Sequence, residues 1–288
     1  MSAASKIVYQ GEPGANSHTA CQQVFPAWEP VAKPTFEDAF AAVVEGSAER
    51  AMIPIENSVA GRVADIHHLM PISGLNIIGE FFLPLQHQLM ALPGATLDTI
   101  KTAYSHPMAL GQCRIALKRF GLEARIAADT AGAARRLAET TDLTRAAIAP
   151  RLAASLYGLD ILAEDIADDA GNTTRFIILQ REPDWAPAGN GPVVTSFVFK
   201  VRNVPAALYK ALGGFATNSV NMTKLESYQL EGEFVATQFY ADVEGHPDDA
   251  NVRFALEELA FFSAEVKILG VYPAHPLRFA KRRKAPGA

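Results

Sequence analysis

The sequence predicts an α/β protein followed by a ferredoxin-like module, and three observations carry that prediction. Between residues 6 and 181, short β-branched runs alternate with amphipathic segments, the order that builds α/β layers with largely parallel sheets. The stretch REPDWAPAGNGP, residues 181 to 192, holds three prolines and two glycines in twelve residues and breaks the alternation. Beyond it the order becomes β-α-β-β-α-β over about 80 residues. The expected organisation is a first domain over 1–181, a linker over 182–192, a second domain over 193–275 and a basic tail over 276–288.

Taken in order, KIVYQ reads as a strand, and SHTACQQVFP as a short helix after the loop GEPGAN. TFEDAFAAVVEG is a patterned helix with Thr35 as its cap and Gly46 as its stop. RAMIPI returns to a strand and VADIHHLM to a helix, while NIIGEFFLPLQHQLMAL is long enough for two strands. TAYSHP and MALGQCRIALKRFG give strand, turn and helix; ARIAAD is a strand, and TAGAARRLAET a helix starting near Thr130. AAIAP, RLAASLYG and LDILAEDI continue the alternation into the strand that holds FIIL. In the second domain VVTSFVFKV is a strand, VPAALYKALGGFAT a helix, and VNMTKLESYQL and EFVATQFYADVEG two strands joined by a Glu-Gly turn. DDANVRFALEELAFF is the second helix and AEVKILGVYP the last strand.

With 288 residues, 49% of them hydrophobic and 20% charged, the chain has material for a large core and about two domains. A net charge of −5 and a pI near 5.8 argue against nucleic acid as the main partner. They do not argue against a small anion, because local charge can oppose net charge. Cys21 and Cys113 lie far apart and outside any CxxC pattern, as reduced core residues do. The start MSAASKIVYQG lacks the apolar core of an export signal, and no apolar run approaches the 18 or so residues of a membrane helix. A cytoplasmic protein without a membrane partner is expected.

One feature recurs in the first domain. GANSH places Ser17, IPIENSVAGR places Asn57 and Ser58, and AYSHP places Ser105 and His106 in what read as strand-to-helix loops. Helix N-termini offer unpaired N–H groups and a partial positive charge, and parallel α/β sheets gather such loops on one edge. Each serine alone is more often just an N-cap; together they outline an anion site. In GNTTRFIIL, Arg175 adds a guanidinium fork suited to carboxylate, with Thr173 and Thr174 beside it. GEPGANSH has neither dinucleotide nor P-loop spacing. His67 and His68 are sequence neighbours that point apart on a helix, and His87 and His106 have no carboxylate at ligand spacing, so no metal site is expected.

GEPGANSH, IPIENSVAGR, YSHPMALGQC and GNTTRFIIL, in this order and spacing, resemble prephenate dehydratase, and KLES within the second domain resembles the ACT regulatory domain that follows it in that family. The likeness covers about residues 6 to 275, without the chorismate mutase helices fused to some members. It implies a two-lobed catalytic domain like the periplasmic binding proteins, crossing between lobes near residues 78–84 and returning near 165–175. It implies the decarboxylating dehydration of prephenate to phenylpyruvate, with no cofactor or metal, because aromatisation drives the reaction. Thr174 becomes the catalytic residue, helping the departing hydroxyl. Arg175 anchors a carboxylate; Ser17, Asn57, Ser58, Ser105, His106 and Thr173 bind substrate; Glu56, Gln112 and Asn172 support them.

The resemblance also implies phenylalanine as feedback effector, held by Ala207, Leu208, Asn221, Leu225, Glu226 and Ser227, and a homodimer or homotetramer. The family's GAL motif is Ala206-Ala207-Leu208 here, and its ESRP motif is Glu226-Ser227-Tyr228-Gln229, so the Arg-Pro half is lost. Arogenate dehydratase, or a binding protein that senses an anion or amino acid without catalysis, are the alternatives.

Overall fold

The computed structural model describes residues 4–63, 66–202, 204–228 and 238–280. Among these, residues 4–42, 51–63 and 82–176 form one compact unit, and residues 43–50, 66–81 and the described residues from 177 onward form another.

The first sheet has the order β2-β1-β3-β11-β5, from β1 (Lys6–Gln10), β2 (Glu29–Lys33), β3 (Arg50–Asn57), β5 (Asn76–Pro84) and β11 (Thr173–Gln180), with β4 (Gly61–Arg62) folded back on β3. Helices α1 (Asn16–Val24), α2 (Phe36–Val44) and α3 (Leu69–Ile72) lie between these strands in sequence. The second sheet, in the first unit, has the order β10-β6-β9-β7-β8, from β6 (Gln88–Ala91), β7 (Thr102–Ser105), β8 (Glu123–Ile126), β9 (Arg145–Ala149) and β10 (Asp160–Ala163). Its helices are α4 (Pro107–Gly111), α5 (Arg114–Arg119), α6 (Thr130–Ala138) and α7 (Arg151–Tyr157). Apolar side chains such as Ile100, Leu117 and Ile148 fill one core of this sheet, and Met90, Ala134 and Ala147 another.

Two crossovers join the sheets, residues 85–87 outward and 164–172 back. They are tied to each other by backbone bonds, Leu85 N to Asn172 O at 2.8 Å and Ile166 N to His87 O at 2.9 Å. Gln88 Nε2 adds a bond to Asp165 Oδ1 at 2.8 Å. Gly14, at φ +89, meets α7 so closely that an added Cβ would come within 2.9 Å of the Ala153 Cα. Only glycine fits both that backbone and that approach.

The structure departs from the sequence reading at several places. The second sheet is mixed: β6 runs antiparallel to β9 and β10 because it enters from a crossover instead of a helical connection. β2 pairs parallel with β1, a strand the polar sequence EPVAK did not announce. Of the expected VADIHHLM helix, Ala64 and Asp65 lie outside the described residues; α3 begins at Leu69, and Val63 N bonds Ile55 O at 3.1 Å beside the β3–β4 pairing. The expected single helix after β7 is two, since Asp168 accepts from Arg114 N and Ile115 N, both at 3.0 Å, and starts α5 afresh. Asp129, one residue before Thr130, caps α6 through Gly132 N. Thr35 caps α2 as read, with Asp38 N donating to its Oγ1 at 3.1 Å.

In the second unit, β12 (Val193–Val201), α8 (Ala207–Thr217), β13 (Met222–Tyr228), β14 (Gln238–Glu244), α9 (Ala250–Phe262) and β15 (Ser263–Pro273) give the β-α-β-β-α-β order. The antiparallel sheet reads β13-β14-β12-β15. The expected Glu231-Gly232 turn and the start of EFVATQFYADVEG lie outside the described residues, as do residues 281–288 of the basic tail. Phe197 stacks on Phe215 at 5.8 Å and Phe199 on Phe239 at 5.2 Å within its core. The short helix α10 (Leu277–Ala280) brings Arg278 onto Glu80 of β5, with Nε and Nη2 meeting the two carboxylate oxygens at 2.6 and 2.7 Å. Residues 182–192 form neither helix nor strand.

Ala206 precedes α8 at φ 60, a left-handed backbone that costs an L-residue with a Cβ but not glycine. Replacement Ala206→Gly is expected to stabilise the protein by about 1 kcal/mol, read as a higher urea midpoint at unchanged slope.

Candidate active site

The site in the first unit is built from the β3–β4 turn and the two crossovers. Asn57 closes β3, and the turn aims the N–H groups of Val59 and Ala60 at its Oδ1, at 3.0 and 2.8 Å. A backbone N–H only donates, so that atom is the oxygen and the Asn57 amide nitrogen must face the other way. Nδ2 donates to Asn172 Oδ1 at 2.7 Å and to Thr174 Oγ1 at 2.9 Å. Asn172 must then present Nδ2 outward, and it donates to Gln112 Oε1 at 2.9 Å. His87 Nε2 meets the same oxygen at 2.9 Å. Since Gln112 Oε1 only accepts, this geometry assigns the proton of neutral His87 to Nε2. Two backbone amides thereby set the polarity of every side chain from Asn57 to His87.

Thr174 is buried, at 8% exposure, and as it receives a hydrogen bond from Asn57 its own hydroxyl proton is directed elsewhere; no described residue accepts it. Arg175 is 1% exposed and its Nη1 donates to Glu56 Oε1 at 2.9 Å. The guanidinium expected to hold a ligand carboxylate thus already faces a carboxylate of the protein. Thr173 and Ser58 hold the turn against β11, Thr173 N donating to Ser58 Oγ at 2.9 Å and Ser58 N to Thr173 O at 2.9 Å.

A cavity of about 220 Å³ is walled by Asn16, Asn57, His87, His106, Gln112 and Thr130, among others. A larger space of about 540 Å³ shares Asn16 and is bordered by Thr19, Leu83, Arg151 and Ser155. His106 Nδ1 accepts from Met108 N at 3.2 Å at the start of α4. Burial holds His87 below the usual histidine range, the Gln112 bond acting the other way, so the ring is neutral. Burial, reinforced by Asp168, pushes the Cys113 thiol up to about 12, which leaves it inert.

The three serine loops are not equivalent. Ser17 lies in the first turn of α1, 9% exposed, one residue past Asn16. Ser58 is on a β-hairpin and not at a helix start, because β3 turns straight into β4. Ser105 is fully buried and spends its proton on Ile148 O at 2.6 Å, so binding a ligand would require breaking that bond. Two contributors went unnoticed in the sequence. His87 read as a lone structural histidine, and Asn16 as a departure from the family's first motif that bears on packing; a polar residue inside the apolar run LPLQHQLMAL was the available signal for His87.

In the second unit, Ala207 opens α8 and is buried, and Leu208 packs on the apolar core. Asn221 Nδ2 donates to Glu244 Oε2 at 2.8 Å, and Glu226 accepts from Lys224 Nζ at 3.1 Å. Leu225 and Ser227 project to the exposed face of β13.

A family model described as prephenate dehydratase matches residues 7–184. The chain belongs to the prephenate dehydratase family. That makes it a member of a family of lyases. It is 49% identical to a bifunctional N-acyl-homoserine lactone acylase/prephenate dehydratase of Komagataeibacter europaeus, over 94% of this chain and 97% of the relative. Arogenate dehydratase/prephenate dehydratase 1 of Arabidopsis thaliana is 39% identical over 95% of this chain and 73% of its own. A crystal structure of prephenate dehydratase from Arthrobacter aurescens in complex with L-Phe matches with a TM-score of 0.86 and 30% identity, covering 98% of this chain and 92% of that one. Among the described residues of this prephenate dehydratase family member, no helix is long and apolar enough to cross a membrane.

Replacement Asn172→Leu removes one acceptor from Asn57 Nδ2 and one donor to Gln112 Oε1. Leaving such groups unpaired costs about 1–3 kcal/mol, and a lower urea midpoint with a matching loss of turnover is the expected result.

Proposed function

We propose that the chain converts prephenate to phenylpyruvate, carbon dioxide and water, under feedback control by phenylalanine. The reading rests above all on Thr174: its oxygen accepts from Asn57 at 2.9 Å, which leaves its hydrogen for a ligand. In the reaction the bond from the ring to its carboxylate breaks and its electron pair enters the ring. The C4–O bond breaks with its pair on oxygen, and that oxygen leaves as water after gaining one proton, drawn in net from solvent. The Thr174 hydroxyl is placed to donate to the departing oxygen. Asn57 holds that hydroxyl, and Asn172 and Gln112 hold Asn57. Arg175 serves a substrate carboxylate while shared with Glu56, and Ser17, Ser58, His106 and Thr173 complete the binding set, Ser105 being held by Ile148 O instead. A cavity closed to water strengthens each of these contacts.

Residues 193–275 are assigned as an ACT domain binding phenylalanine through Ala207, Leu208, Asn221, Leu225, Glu226 and Ser227, in a cytoplasmic homodimer or homotetramer. What supports the effector is the relative solved with L-Phe, at 30% identity. To inhibit, phenylalanine must favour one arrangement of the catalytic part over another.

Relatives named arogenate dehydratase at 37–39% identity favour one second reading, the same chemistry on the aminated substrate. A side-by-side rate comparison on the two acids decides between them. The name of the Komagataeibacter relative carries an acylase as well, and assaying this protein with an N-acyl-homoserine lactone tests whether that activity extends here.

Ultraviolet detection of phenylpyruvate from prephenate is the direct test. Replacement Thr174→Val is expected to lower kcat by ~10²–10⁴-fold with the fold intact. Saturating phenylalanine is expected to slow the wild type. A wild type that binds prephenate and never turns it over would refute the enzymatic reading.

A further inference from the structure

We propose that Asp129 sets the choice between the keto acid prephenate and its aminated counterpart arogenate, its negative charge favouring the substrate that carries an ammonium group. The inference deepens the dehydratase reading and rests on it.

The cavity of about 220 Å³ beside Asn57 is poor in cations for a site that receives a dianion. Asn16, Asn57, Gln112 and Thr130 line it with neutral polar groups. Among the described residues at its wall there is no lysine or arginine, and Asp129 is the one carboxylate. A lone negative charge there works against any bound carboxylate and in favour of any bound cation. The charge acts through space and falls off with distance, so its effect does not depend on which carboxylate oxygen is turned inward.

The helix that begins beside Asp129 does not explain the charge. Asp129 Oδ1 accepts the Gly132 N–H and caps α6. That task needs an acceptor, and asparagine or serine performs it about as well as aspartate. The helix start is equivalent to about half a positive charge, which offsets part of the carboxylate and leaves the wall negative. No described residue supplies a cation in an ion pair with Asp129. A charge surplus to the cap, at the wall of the cavity that Asn57 and Gln112 share, is available to a ligand.

The two acids have the same ring, the same C4 hydroxyl and the same two carboxylates. They differ at one side-chain carbon, which bears a keto oxygen in prephenate and an ammonium group in arogenate. Repulsion between Asp129 and the carboxylates is common to both. Only the ammonium group is attracted, whereas the keto oxygen offers lone pairs alone. Asp129 is therefore a specificity-determining residue, and the bonds made and broken are the same for either acid.

The test measures kcat/KM for prephenate and for arogenate with the full-length enzyme. Replacement Asp129→Asn removes the charge and keeps a capping oxygen for Gly132 N. Replacement Asp129→Ser does the same with a second capping side chain. In both, kcat/KM is expected to rise for prephenate and fall for arogenate. The arogenate-to-prephenate ratio is expected to drop about tenfold, the scale of one charge pair at a partly wet wall. An unchanged ratio in the two variants overturns the proposal. So does an equal fall on both acids, which marks a structural role, or a wild type that turns over prephenate and never arogenate. These outcomes leave the dehydratase reading standing, whereas a wild type inert on both acids removes both.

Discussion

Everything in the site depends on two peptide N–H groups that point at one side-chain oxygen. The turn after β3 aims Val59 and Ala60 at Asn57 Oδ1, and an amide side chain cannot satisfy them in any other orientation. From that point the direction of each hydrogen bond is forced, through Asn172 to Gln112 and back from His87. Side-chain amides are usually free to reverse with little change in shape. Here reversal would set donors against donors at successive links. A site built from neutral side chains thus acquires a fixed electrical sense along the chain of bonds, and Thr174 receives a bond instead of giving one.

Much of the fold was legible because periodicity and punctuation agree. The Gly/Pro-rich break and the strands on either side of it were read from composition and residue pattern, and Thr35 announced its helix by cap chemistry. Local pattern failed where distant partners decided the outcome. Asn57 and Ser58 read as a helix start because a polar turn after an apolar strand is common to helix entry and hairpin; only pairing with Gly61 and Arg62 separates them. The split between α4 and α5 is made by Asp168, more than fifty residues later in the chain. Strand direction in the second sheet follows from the crossovers, which leave no local mark.

The site residues show the same division. Glu56, Asn57, Gln112, Asn172, Thr174 and Arg175 stand in motifs that the family resemblance picks out, yet their connections were invisible. Ser105 carried the right chemistry in the right loop, but a carbonyl on the neighbouring strand takes its proton. Arg175 is drawn inward by Glu56, a neighbour across the sheet and not along the sequence. His87 went unread for a related reason: its ring meets Gln112, 25 residues further along the chain, and nothing local marks that contact.

The two crossovers have a mechanical consequence. Among the described residues, His87 and Asn172 belong to the two segments that carry the chain between the first and second sheets, and those segments are stitched together by backbone bonds. When two plates swing about a hinge, displacement grows with distance from the pin. Residues on the pin hardly travel. Were the two sheets to swing about these segments, the groups beside them would keep their alignment while the far edges parted, and the site's geometry would not need rebuilding at each turnover.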